Sequence, residues 1–148
     1  MPTRLSRTYL ELMADPLPRR HLLLCPPDYF GIEYEINPWM NRAHNAIPLL
    51  AKTQWQGLHD KLVSLGCRVE LLAPQPKLPD MVFTANAGLV TGRKFIRSNF
   101  RFAERRGEEP HFDAWFTREG YEIVHMPSEL FFEGEGDALF CGDVLFCG

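Results

Sequence analysis

The sequence predicts an α/β protein assembled from a repeated strand–strand–helix–strand module. Three observations carry this. Two segments with helical spacing are each closed by a glycine, Gly66 and Gly120, and each runs directly into a short strand pattern. Both of those strands are stopped by proline, at Pro74 and at Pro127. Two strand–turn–strand runs, around Gly92 and around Cys141-Gly142-Asp143, enter the order at corresponding points. Elements that return in the same order within one chain are an internal structural repeat.

In chain order, residues 1–20 alternate arginine with proline and acidic residues and read as a loosely docked arm. His21-Leu22-Leu23-Leu24-Cys25 is an apolar run halted by Pro26-Pro27, which suits a buried strand. A loop over residues 28–40 follows, rich in aromatics (Tyr29, Phe30, Tyr34, Trp39), and is expected to pack over a site or over a satellite core. Leu49, Leu50, Trp55, Leu58, Leu62 and Leu65 keep helical spacing over residues 46–65, and residues 67–72 alternate toward a strand. Residues 81–83 and 87–90 read as two strands separated by small polar residues, the second joined to Phe95-Ile96 through Thr91-Gly92-Arg93-Lys94. After the charged residues 101–109, Phe112, Trp115 and Phe116 mark a second helix, and residues 121–125 a strand. A third start follows at residues 137–140 and 144–146. The expected organisation is therefore an arm over 1–20 and modules over about 21–76, 81–127 and 137–148, the third lacking its helix and last strand.

The 148 residues suffice for one compact domain with a buried core. A net charge of −3 supplies no basic field for nucleic acid, and no apolar run approaches bilayer length. With no apolar signal core near the N-terminus, a cytoplasmic location is expected. Cys25, Cys67, Cys141 and Cys147 fit no zinc spacing and are expected to be buried, reduced thiols. His21, His44, His59, His111 and His125 have no motif around them.

Two stretches carry chemistry. The first is Pro79-Asp80-Met81-Val82-Phe83-Thr84-Ala85-Asn86-Ala87-Gly88, with Asp80 and Asn86 at the ends of an apolar run, where strands hand over to loops. The second is Phe132-Glu133-Gly134-Glu135-Gly136-Asp137, a carboxylate at the end of an aromatic segment, held by glycines that permit a tight turn. It begins like a dinucleotide-binding fingerprint, but Leu139 stands where the third glycine belongs and a strand follows instead of a helix. It also lacks the spaced oxygen series of a calcium loop.

Together these stretches resemble the guanidino-group-modifying enzymes: arginine deiminases, dimethylarginine dimethylaminohydrolases, amidinotransferases and arginine dihydrolases. The Thr84-Ala85-Asn86-Ala87 core is most similar to the dihydrolase branch. The resemblance covers residues 20–148 and implies the pentein fold, an α/β-propeller of five ββαβ modules, of which about two and a half are present. It implies that Glu133 holds a guanidinium, that Asp80 lies near the site, and that Arg97 can receive a substrate α-carboxylate. It further implies covalent catalysis by a cysteine, aided by a histidine, both in later modules that this chain does not match. Asn86 stands where deiminases carry aspartate. A neutral amide holds a cation less strongly and tolerates a neutral ureido group better. Arg105-Arg106 is expected to be a solvated charge cluster that braces its module.

The expected function is the N-terminal part of a hydrolase acting on arginine or a close derivative, with a small guanidine as partner, no metal or organic cofactor, and a possible homo-oligomer. The alternatives are half of an amidinotransferase, or a non-catalytic module that binds guanidines or completes a propeller with another chain.

Overall fold

The computed structural model describes residues 20–148, so the expected arm lies outside the described residues but for Arg20. The first unit pairs β1 (His21–Leu24) in parallel with β2 (Arg68–Leu71), Leu22 opposite Val69 and Leu24 opposite Leu71. Between them runs α1 (Pro48–Ser64). Pro48 starts it, since its fixed φ and missing N–H suit a first turn, and Gly66 at φ +81° ends it. The helix faces inward through a half-buried stripe of Ala51, Trp55, His59 and Leu62. Of the six apolar residues that define the helical spacing, Leu49, Leu50, Leu58 and Leu65 are exposed. The spacing gives the element but turns it to the wrong face.

The second unit is the complete one. β3 (Gly88–Thr91) and β4 (Lys94–Arg97) form an antiparallel hairpin, with Thr91 opposite Lys94 across the Gly92-Arg93 turn. Then come α2 (Ala103–Arg106), α3 (Glu109–Arg118) and β5 (Glu122–His125), which pairs in parallel with β4, Phe95 opposite Ile123. The third unit is the antiparallel hairpin of β6 (Ala138–Cys141) and β7 (Val144–Cys147). Among the described residues the full ββαβ order occurs once, over residues 88–125. Residues 21–71 form a strand–helix–strand pair, not a full module.

One core joins the first two units. Phe95 stacks on Phe116 with centroids 3.7 Å apart, and Phe112 and Trp115 complete the α3 face. Cys25, Leu72, Met81 and Ala87 enter from the other side. Each large side chain removed from water here contributes roughly 2 kcal/mol. Arg93, from the hairpin turn, donates to the carbonyls of Glu119 and Gly120 and so caps the C-terminus of α3.

Two expectations are corrected. Residues 81–83 are not a strand: Pro79–Val82 and Thr84–Ala87 are successive 3₁₀ turns. Their backbone bonds are local, from Phe83 N–H to the Asp80 carbonyl (2.9 Å) and from Asn86 N–H to the Phe83 carbonyl (3.0 Å). The cysteines are all free but not all buried. Cys25 is buried and Cys67 half-buried, whereas Cys141 and Cys147 are exposed on the β6–β7 hairpin, beside the equally exposed Leu139, Phe140 and Phe146.

Candidate functional site

The two motif stretches meet backbone to backbone. The turn Gly134–Gly136 packs on the turn Thr84–Ala87, and Gly134 sits at the contact with φ +61°. A Cβ there would lie 2.6 Å from the Ala85 carbonyl and 2.7 Å from the Gly88 nitrogen, so only glycine permits this approach. Asp137 closes the turn from its far end, its carboxylate accepting from the Glu133 N–H at 2.7 Å. The turn residues thus bring Glu133 beside Asn86, 47 positions earlier in sequence.

Behind them lies a buried ionic cluster. Arg105 is 5% exposed and donates in a fork to Glu108, which is fully buried, from Nε and Nη2 at 2.9 Å each. Its Nη1 donates to Asn86 Oδ1 at 3.2 Å, and Nη2 also approaches the Asp80 carbonyl oxygen at 3.4 Å. The guanidinium lies over the Phe100 ring, 4.2 Å from the centroid, with the Asp80 carboxylate 3.9 Å from Nε. The Tyr34 hydroxyl donates to Asp80 Oδ2 at 2.9 Å. Burial pushes the Glu108 and Asp80 carboxyls above the usual carboxylate range, with the Arg105 charge acting against it in both and the Tyr34 hydrogen bond in Asp80. Burial opposes the charge of Arg105, but the hydrogen bond and charge of Glu108 outweigh it and hold the guanidinium pKa up. Burial and the Asp80 charge raise the Tyr34 phenol, which stays a donor.

These groups open onto a cavity of about 470 Å³. Asp80, Asn86, Arg105 and Glu133 supply its polar wall, and Phe30, Phe83, Phe102 and the loop residues Ile36, Trp39 and Met40 its apolar wall. The aromatic loop therefore covers the site: Phe30 meets Phe83 edge to face at 5.7 Å, and Tyr34 reaches Asp80. Neither oxygen of the Glu133 carboxylate, nor Asp80 Oδ1, accepts a hydrogen bond from any described residue. Among the described residues, no cysteine or histidine lines this cavity, and no group of three or more His, Cys, Asp or Glu is placed to hold a metal ion.

Of the sequence-derived candidates, Asp80, Asn86 and Glu133 come together here, and Arg97 does not. Arg97 ends β4 and turns toward α3, where it pairs with Glu109 at 3.2 Å and Asp113 at 3.0 Å. The residue missed is Arg105. Far from being a solvated cluster with Arg106, it is the cavity's one cation among the described lining residues. Arg106 does brace the module, through the carbonyls of Phe100 and Arg101.

No family model matches the chain. The chain is 46% identical over 129 residues, 86% of its length, to the bifunctional arginine dihydrolase/ornithine cyclodeaminase ArgZ of Synechocystis sp., of which it covers 18%. Over 129 residues, 87% of the chain, it is also 37% identical to the dimethylarginine dimethylaminohydrolase of Mycobacterium tuberculosis, covering 42% of that protein. The solved N-terminal domain of ArgZ, bound to product, superposes with a TM-score of 0.77 at 44% identity, covering 83% of this chain and 45% of that one. The chain belongs to the guanidino-group-modifying enzyme superfamily. It spans less than half the length of each of these three, and it does so as a mixed α/β fold of the pentein type. The two motifs through which the chain resembles this superfamily are those that Gly134 holds in contact.

Proposed function

We propose that this chain carries the substrate-gripping part of a hydrolase that acts on the guanidinium of arginine or a close derivative. The observation that carries this is a charge imbalance. Asp80 and Glu133 bring carboxylates to a largely apolar cavity, and the one cation beside them, Arg105, is already committed to the buried Glu108. A planar cation compensates that excess and matches paired acceptors with its fixed fork of N–H donors. At the other end of the substrate, Arg105 supplies the cation an α-carboxylate requires. Arg105 uses four of its five N–H groups within the protein, leaving one on Nη1 for a carboxylate. Arg105 takes in this way the role expected of Arg97.

Asn86 points to removal of both terminal guanidino nitrogens. Since the Arg105 Nη1 only donates, the carboxamide must place Oδ1 toward it, and Nδ2 is left facing Gly136 beside Glu133. A donor at that point suits the carbonyl of a ureido group, which a second carboxylate would repel. In balance, arginine and two waters give ornithine, two ammonia and carbon dioxide. Covalent attack by a cysteine thiolate and protonation of the departing nitrogen by a histidine fall to groups other than the cavity lining described above. The relatives named as arginine dihydrolases, one of them solved with product, support this reaction class.

The test is a thermal-shift titration with arginine, in parallel for the wild type and Glu133→Gln, with sodium chloride as ionic control. Arginine is expected to stabilise the wild type, and the variant to need on the order of ten-fold more ligand. Equal shifts from arginine and from salt would sink the proposal.

A further inference from the structure

Behind the cavity wall stands one carboxylate that no substrate can touch. Glu108 is fully buried at the start of α3, and both its oxygens are taken by Arg105. Building a buried fork of this kind is costly, since each ion gives up its hydration. Stability is a weak reason to keep it, because apolar residues would fill the same volume as well or better. What the fork does achieve is geometric. With Nε and Nη2 pinned by Glu108 and the guanidinium plane resting on Phe100, the place of Nη1 is fixed, and one of its two N–H groups ends on Asn86 Oδ1. Among the described residues Asn86 Nδ2 makes no hydrogen bond, so nothing else decides which way the carboxamide faces.

We infer that Glu108 is a positioning residue: through Arg105 it locks the Asn86 carboxamide with its amino group toward the ligand, and so sets the site's preference between ureido and guanidinium occupants. The inference rests on the cavity being a guanidine site and adds the device that tunes it. Without the lock the carboxamide is free to turn over. It then offers oxygen to a guanidinium and loses its donor for a ureido carbonyl.

The experiment is calorimetric titration of the chain with arginine and with citrulline, its ureido analogue, in four proteins: wild type, Glu108→Gln, Asn86→Asp and the double variant. Glu108→Gln keeps the size and one acceptor but replaces the other with N–H groups facing Arg105. It is expected to raise the ratio Kd(citrulline)/Kd(arginine) about three- to ten-fold, the worth of one well-placed hydrogen bond. Aspartate at position 86 has two equivalent oxygens and no orientation to lock, so in that background the same change should leave the ratio within about two-fold. A merely structural Glu108 would weaken both ligands alike and leave the ratio still in both backgrounds, which overturns the inference. If Glu108→Gln does not fold, Arg105→Lys takes its place: the charge facing Glu108 stays, the fork is lost, and the ratio should move the same way. Wild-type binding of arginine, read in the same series, tests the cavity itself, and its absence would overturn both proposals.

Discussion

Gly134→Ala is the sharpest perturbation the structure offers, because two independent costs meet at one atom. At φ +61° an L-residue with a Cβ is disfavoured by roughly 1–2 kcal/mol. The added methyl would also stand 2.6, 2.7 and 2.9 Å from three backbone atoms of Ala85 and Gly88, where ordinary contact begins near 3.4 Å. No rotamer change relieves backbone, so the two turns must separate by about 0.8 Å, at a further cost of roughly 1–3 kcal/mol. The total is about 2–5 kcal/mol, a fall in Tm on the order of 10 °C for a chain of this length. Separation also carries Glu133 away from Asn86, so affinity for arginine should fall on the order of ten-fold or more. Gly142→Ala is the internal control. Gly142 has nearly the same φ, +60°, with nothing within 4 Å of the added atom, so it incurs the conformational cost alone. Thermal melts of both variants, followed by arginine titration, measure the difference. Equal losses in the two would refute the close approach of the turns as the organising contact of the site.

Burial holds the Asp80 carboxyl above its ordinary range, so the folded protein binds that proton more tightly than the unfolded chain. Its contribution to stability is then full below the ordinary carboxylate pKa of about 4 and is lost as pH rises through the raised folded value. In urea melts from pH 4 to 8, Asp80→Asn should gain on the wild type as pH rises, and a constant gap would contradict the assignment. Tyr34→Phe removes the one hydrogen bond from the aromatic loop to Asp80, at about 1 kcal/mol, and limited proteolysis within residues 28–45 should quicken several-fold. An unchanged cleavage rate would show that the Tyr34–Asp80 bond does not hold the loop. Burial pushes the Cys25 thiol up to about 12. In native protein iodoacetamide should therefore modify the exposed Cys141 and Cys147 first and leave Cys25 until unfolding, an order that peptide mass spectrometry reads directly.

Strands and helices were legible because glycine and proline punctuate them: Gly66, Gly120 and Gly92 stand where elements end or turn. The motif pair was legible too, and Asp80, Asn86 and Glu133 do converge on one cavity. Three features were hidden for separate physical reasons. The run Met81-Val82-Phe83 is too short for periodicity to tell a strand from a turn, and the local bonds that decide it follow from Pro79. Arg105 looks solvated in a charged segment, and its burial depends on Glu108 one turn later and on Asn86, 19 positions earlier. The i, i+3 pairing of Arg105 with Glu108 was the available signal. Arg97 looked free because its partners, Glu109 and Asp113, lie on one face of a helix whose docking only the fold supplies.

Asn86 shows how separately the fold and the chemistry are written at this site. The main chain of Asn86 does the structural tasks: its N–H closes the turn onto Phe83, and its carbonyl receives the hydroxyl of the buried Ser98 at 2.5 Å. The side chain takes no part in either. A change of residue there can exchange a donor for an acceptor or a neutral group for a charge while the turn, the hairpin after it and the core below stay as they are. On such a position selection can try one reaction outcome after another at small risk to folding, and a designer who wishes to redirect the chemistry should begin with the same residue.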